Sequence, residues 1–433
     1  MALAPTRMAT PDDDDTGPAA PAELRWFVFA LFFIFGGITS LNDVLIPKLK
    51  DLFELSYAEA MLVQSAFFAA YFFVSFPAAA IVRRAGYLRT AAIGLLVMTA
   101  GCLLFVPAAK AGVFVTFLLA LFVLGAGITI VQVVANPLIS RLGRPATASS
   151  RLTFAQGFNS LGTTLFPHFG AILILGSLAA IDPATLSAAG RAAYRAAESA
   201  VIVNAYLGIA AALVVIALVV WLRRNALVEQ RAEGGGLRAA IGLLRRPRFA
   251  FGTLGIFLYV GAEVSIGSLI VNYLMRADTL GLAQDAAGSH VAYYWGGAMV
   301  GRFIGAALLR YAAPAKVLAS AALCVLLLLG LSAGTTGALS AWSLLAIGLF
   351  NSIMFPTIFS LASERLGLRT PEGSGLICMA IVGGAIVPPL TGLLADQVGL
   401  RGALAVPALC YAIILAFGLY ARRPAPPIDD LVA

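Results

Sequence analysis

Twelve apolar runs recur along this chain, each about 17 residues or longer, the length at which a helix crosses the hydrocarbon core of a bilayer. They fall at about 24–47, 60–82, 88–107, 113–139, 152–179, 201–222, 249–275, 291–309, 317–333, 339–361, 376–395 and 403–420. A soluble domain that is 61% hydrophobic and 12% charged, with mean hydropathy +0.93, would expose far too much apolar surface. The expected fold is therefore an all-α membrane protein of twelve transmembrane helices.

Basic residues set the expected orientation, because Lys and Arg accumulate in cytoplasmic loops. With the N-terminus inside, the inner loops hold 17 basic residues, including Arg83, Arg84, Arg89, Arg141, Arg144 and the seven arginines from Arg223 to Arg248. The outer loops hold 7: Lys48, Lys50, Lys110, Arg191, Arg195, Arg276 and Arg401. Both termini are thus expected to be cytoplasmic. The net charge of +8 is mostly this bias, and no nucleic-acid partner is implied. Cys102, Cys324, Cys378 and Cys410 lie in apolar runs without metal or redox spacing and read as small hydrophobes. The first run is too long, and lacks the cleavage site, for a removed signal peptide.

The basic segment 223–248, with Gly234, Gly235 and Gly236, divides the runs six and six. Expected domains are a disordered cytoplasmic tail (1–22), an N-terminal six-helix bundle (23–222), a cytoplasmic linker (223–248), a C-terminal six-helix bundle (249–421) and a second tail (422–433). Asn136-Pro137-Leu138-Ile139 in span 4 echoes Phe355-Pro356-Thr357-Ile358 in span 10, as a duplicated, pseudo-symmetric pair of bundles would. Such halves place a substrate site near mid-membrane between them. Glycines at 296, 297, 301 and 305 in span 8, and at 383, 384 and 392 in span 11, allow helices to approach closely.

Glu263 is the only charged residue from Phe249 to Met275. A charge at the centre of a span costs roughly 2.5 to 3.5 kcal/mol on insertion scales, so it usually faces a wet cavity, finds a partner or carries a proton. Asp43 lies about one turn from the outer end of span 1, where it either caps the helix beside Lys48 and Lys50 or looks into the same cavity as Glu263. Gln132 and Asn136 share one face of span 4, and Gln156 and Asn159 one face of span 5. Amides donate and accept at once, as sugar hydroxyls do, although they also bond helices to one another. Asn42, Gln64, Asn272 and Asn351 are further amides a cavity could recruit, and Tyr259 shares the face of Glu263. Tyr293-Tyr294-Trp295 offers either an aromatic plate for a sugar ring, with Trp295 in the substrate set, or an interfacial belt. His168 and His290 are solitary. No nucleotide, metal or nucleophile motif points to an enzyme or to a cofactor.

Six stretches together carry a family resemblance: 41–47 (LNDVLIP), 127–137 (GITIVQVVANP), 155–162 (AQGFNSLG), 259–264 (YVGAEV), 295–303 (WGGAMVGRF) and 350–361 (FNSIMFPTIFSL). On these the chain resembles the fucose permease family of the major facilitator superfamily, and within it the bacterial glucose/galactose transporter branch. The resemblance implies proton-coupled sugar uptake through the bacterial inner membrane, with Asp43 matching a protonatable aspartate of helix 1. It also implies a departure: fucose permease has a glutamate in helix 4 where this chain has Gln132, and a glutamine in helix 7 where it has Glu263. The second coupling acid is thereby expected at Glu263, and glucose or galactose rather than fucose as substrate. N-acetylglucosamine remains an open alternative, as does sodium in place of the proton; drug or lipid antiport fits the paired amides less well. A monomer in the lipid bilayer is expected.

Overall fold

In the computed structural model, residues 22–53, 57–170, 187–225 and 237–423 are described, and among them the chain is helical apart from short turns. The first bundle holds α1 (Ala22–Phe53), α2 (Tyr57–Ala85), α3 (Tyr87–Ala111), α4 (Phe114–Arg141), α5 (Ala148–Gly170) and α6 (Ala188–Leu222). A short α7 (Leu237–Gly242) precedes the second bundle, which holds α8 (Pro247–Met275), α9 (Gln284–Leu308), α10 (Pro314–Gly334), α11 (Gly337–Asn351), α12 (Met354–Ala362), α13 (Thr370–Met379), α14 (Gly383–Ala403) and α15 (Ala405–Tyr420).

Among the described residues, nine helical segments are long and apolar enough to cross a membrane. The other three of the twelve are α5, α9 and α15. The last is short, and the first two are rich in polar residues such as Gln156, Asn159 and Arg302. That polarity has a structural cause, because α5 and α9 pack against each other across the boundary between the bundles.

Span 10, expected as one helix over 339–361, is instead broken between α11 and α12 at Ser352 and Ile353. Pro356 explains the break: it lacks an N–H, and its ring clashes with the carbonyl four residues earlier, which is that of Ser352. Span 11 enters earlier than expected, at Thr370, where Pro371 occupies the first turn that tolerates proline. It then turns at 380–382 before α14, whose run is interrupted at Gly399 (φ 78°).

The two bundles repeat one packing plan. In the first, α1 packs on α5, α2 on α4, and α3 on both α4 and α6; in the second, α8 packs on α14, α9 on α11, and α10 on both α11 and α15. Close approaches repeat as well. A Cβ at Gly162 of α5 would strike the Phe33 carbonyl of α1, and one at Gly37 would strike the Phe166 ring. In the second bundle Gly383 meets the Phe257 carbonyl, and Gly261 meets Val387, with the same one-turn spacing on each helix. In this register Glu263 corresponds to Thr39 and Asp43 to Gly267, so the two acids lie on equivalent helices but about one turn apart in depth.

Contacts between bundles gather at the arginine-rich end. Arg83 of α2 pairs with Glu372 of α13 at 2.9 Å, both side chains mostly buried. Ser150 Oγ of α5 donates to the Ala306 carbonyl of α9 at 2.6 Å, and Ser374 Oγ of α13 to the Val133 carbonyl of α4 at 2.8 Å. Ser149 meets Ser360 of α12 through their hydroxyls. The seam is therefore closed at this end, while apolar side chains such as Phe73, Val215 and Leu222 point outward, where lipid would cover them.

Candidate functional site

Helix α8 sets Tyr259 and Glu263 one turn apart on a common face. The Tyr259 side chain is buried, and its hydroxyl lies 2.7 Å from Glu263 Oε1 and 3.1 Å from the main-chain oxygen of Asn351. That oxygen is available because Asn351 is the last residue of α11, and the final carbonyls of a helix have no intrahelical donor. The Asn351 amide in turn donates to the Tyr294 hydroxyl of α9 at 2.8 Å. Three helices of the second bundle thus converge on one acid. Tyr411 of α15 lies near enough to Glu263 and Tyr294 to act on them electrostatically. Its hydroxyl and Asn351 Oδ1 are buried without a hydrogen-bond partner among the described residues.

A positive charge sits beside this acid. Arg302 of α9 interacts electrostatically with Glu263, but its hydrogen bonds go to the other bundle. Its guanidinium bonds Ser160 Oγ and, at 3.2 Å, the Gln156 carbonyl, both on α5. Its Nε is buried and unpartnered among the described residues.

The first-bundle amides are placed differently from one another. Gln132 is buried, with Oε1 unpartnered, and Asn136 is fully buried, with neither amide atom partnered, among the described residues. Asn136 lies beside Cys378 of α13, on the seam. Gln156 is buried next to Arg302, whereas Asn159 donates to the Phe32 carbonyl at 3.3 Å and so ties α5 to α1. Asn42, Asp43, Gln64 and His168 lie on α1, α2 and α5, but their side chains fall outside the described residues.

Of the residues singled out from sequence, the structure joins Tyr259, Glu263 and Asn351 directly. Asn272 is exposed, nine residues beyond Glu263 on α8. Trp295 is 44% exposed and Tyr293 57%, whereas Tyr294 between them is fully buried and bonded to Asn351. Sequence reasoning passes over Arg302, although the rule that flags Glu263, a lone charge inside an apolar run, flags it equally. Tyr411 and Ser160 carry no such signal.

Known proteins resemble the chain over most of its length. The sequence profile of the Major Facilitator Superfamily matches residues 27–380. A glucose/galactose transporter of Brucella abortus is 49% identical over 91% of this chain and 92% of its own length. A putative glucose/galactose transporter of Helicobacter pylori is 42% identical over 90% and 94%. The L-fucose-proton symporter of Escherichia coli is 33% identical over 92% of each chain. A crystal structure of FucP, described as a Major Facilitator Superfamily transporter in the outward conformation, superimposes with TM-score 0.85 at 31% identity, covering 93% of this chain and 99% of that one.

Proposed function

Because the chain belongs to the major facilitator superfamily, we propose that it is a secondary active sugar uptake transporter, a glucose/galactose:proton symporter that works by alternating access, and not an enzyme. The observation that carries this reading is the Glu263 cluster. It is an acid held by Tyr259 at mid-helix in a membrane span, in a chain 49% identical to a glucose/galactose transporter.

The chemistry follows from the hydrogen-bond inventory. A tyrosine hydroxyl has one hydrogen, and two acceptors compete for that of Tyr259: Glu263 Oε1 and the Asn351 carbonyl. With Glu263 ionised, the hydrogen belongs on the carboxylate, where charge makes the bond roughly twice as strong as a neutral one. A proton on Glu263 supplies a second hydrogen, so the acid can donate to Tyr259, which then donates to Asn351. Protonation also removes the cost of desolvating a carboxylate when bundles close over the cavity. Proton and sugar together therefore lower the barrier to closing the cavity around Glu263, which a carboxylate charge raises. Asp43 is the second candidate acid, and Gln132, Gln156 and Asn159 face the sugar from the first bundle.

The arginine-rich end is taken as cytoplasmic, with both termini inside a bacterial inner membrane and a monomer as the working unit. The closed arginine-rich seam then corresponds to an outward-facing carrier. Uptake of labelled glucose, galactose, fucose and N-acetylglucosamine into proteoliposomes, with pH and sodium gradients imposed separately, tests this reading. Glucose or galactose accumulation driven by the pH gradient supports it. Accumulation driven by sodium alone replaces the proton, and none with any sugar overturns it.

A further inference from the structure

Arg302 is buried at the seam, its hydrogen bonds cross to α5, and an acid on which its charge acts, Glu263, lies in its own bundle. We propose that Arg302 is the positioning residue that couples Glu263 to the opening of the seam. Its guanidinium is held by Ser160 and the Gln156 carbonyl while α5 and α9 are packed, and it transfers to Glu263 when they part.

Ser160 and Gln156 ride with the first bundle, and Arg302 and Glu263 with the second. If α5 leaves α9, Arg302 loses both of its protein acceptors, and its Nε already lacks one among the described residues. A guanidinium cannot shed its proton, so it must find another acceptor or water. Glu263 stays within its electrostatic reach because both residues move together. The groups acting on that carboxylate are Tyr259 on its own helix, Arg302 and Tyr294 on α9, and Tyr411 on α15. Arg302 is the only one of these that carries a positive charge. An ionised Glu263 therefore stabilises the parted seam, and a neutral one returns Arg302 to α5. Ser160 bonds Arg302 in this packed state, and carrying α5 away breaks that bond, which gives the exchange its direction.

This inference rests on the alternating access proposed above, and its test separates the two. Spin labels at Ala146→Cys and Tyr311→Cys, exposed positions on the two bundles at the arginine-rich end, report the seam by their distance in a background with the four native cysteines replaced by alanine. All measurements are made without sugar. Glu263→Gln is expected to lower the parted-to-packed ratio about tenfold, within the roughly 5- to 150-fold range of coupling between sites. In an Arg302→Gln background the same substitution should change the ratio less than twofold, and Arg302→Lys should restore part of the dependence because it keeps the charge. Additive effects of Glu263→Gln and Arg302→Gln would make Arg302 mere seam packing and overturn the proposal, as would an unchanged ratio in every variant. Adding glucose or galactose afterwards addresses the transport reading separately: coupling that persists while neither sugar shifts the distances counts against sugar transport and leaves the exchange intact.

Discussion

The Tyr259 hydroxyl serves one acceptor at a time, which makes it the most sensitive single atom in the site. Tyr259→Phe keeps the ring packing and deletes that donor. Leaving a buried acceptor unpaired costs about 1–3 kcal/mol, so gradient-driven initial uptake is expected to fall roughly tenfold or more, and the melting temperature of the detergent-solubilised protein should fall modestly with it. A second residue-scale expectation concerns the loop outside α8. Asp278 accepts two 2.8 Å hydrogen bonds from Arg276 and pairs with Arg401 at 3.2 Å. The Arg276 hydrogen bonds, and then the arginine charges, hold its carboxyl below the usual carboxylate range. A lowered folded-state value means the stabilisation is complete above the unfolded value of 3.8 and disappears as pH falls through the folded value. Asp278→Asn should therefore lower the melting temperature slightly at neutral pH, and its melting curve should converge with that of the wild type in acid.

At the scale of elements, the α9–α11 contact positions the site. A Cβ on Gly348 would strike the Tyr294 carbonyl, so Gly348→Ala must push α11 from α9 and strain the Asn351–Tyr294 bond. Overpacking of this kind costs about 1–3 kcal/mol; both melting temperature and sugar affinity should fall, measured by thermal unfolding and by equilibrium binding. The helices themselves were legible in the apolar runs because a bilayer enforces length and composition together. The break in span 10 was less visible: Pro356 announces a defect, but its position depends on which carbonyl the ring displaces. Glu263 was legible because a charge stands out in hydrocarbon. Asn351 was weaker as a signal, since what matters is its main-chain oxygen at a helix end, which any residue there would supply. Tyr294 was hidden between two exposed aromatics, and only its rotational position on α9 separates it from them.

For the whole molecule, duplication explains both the packing plan and its asymmetry. Equivalent helices meet through equivalent glycine contacts, yet the second bundle alone carries the hydrogen-bonded Glu263 cluster among the described residues. The seam between bundles is where function and stability meet. Arg83 neutralises Glu372, whose side chain is 3% exposed, so Arg83→Ala leaves a buried charge uncompensated, at a cost of about 3–5 kcal/mol to the packed state. The variant should favour the parted seam, read as a longer distance between spin labels at Ala146→Cys and Tyr311→Cys. The most direct test of the central claim, that Glu263 couples the proton to sugar movement, compares wild type with Glu263→Gln in the same proteoliposomes under an imposed pH gradient. Wild type should concentrate glucose or galactose, while Glu263→Gln should bind and exchange the sugar without concentrating it. Full concentrative uptake by Glu263→Gln would contradict the account.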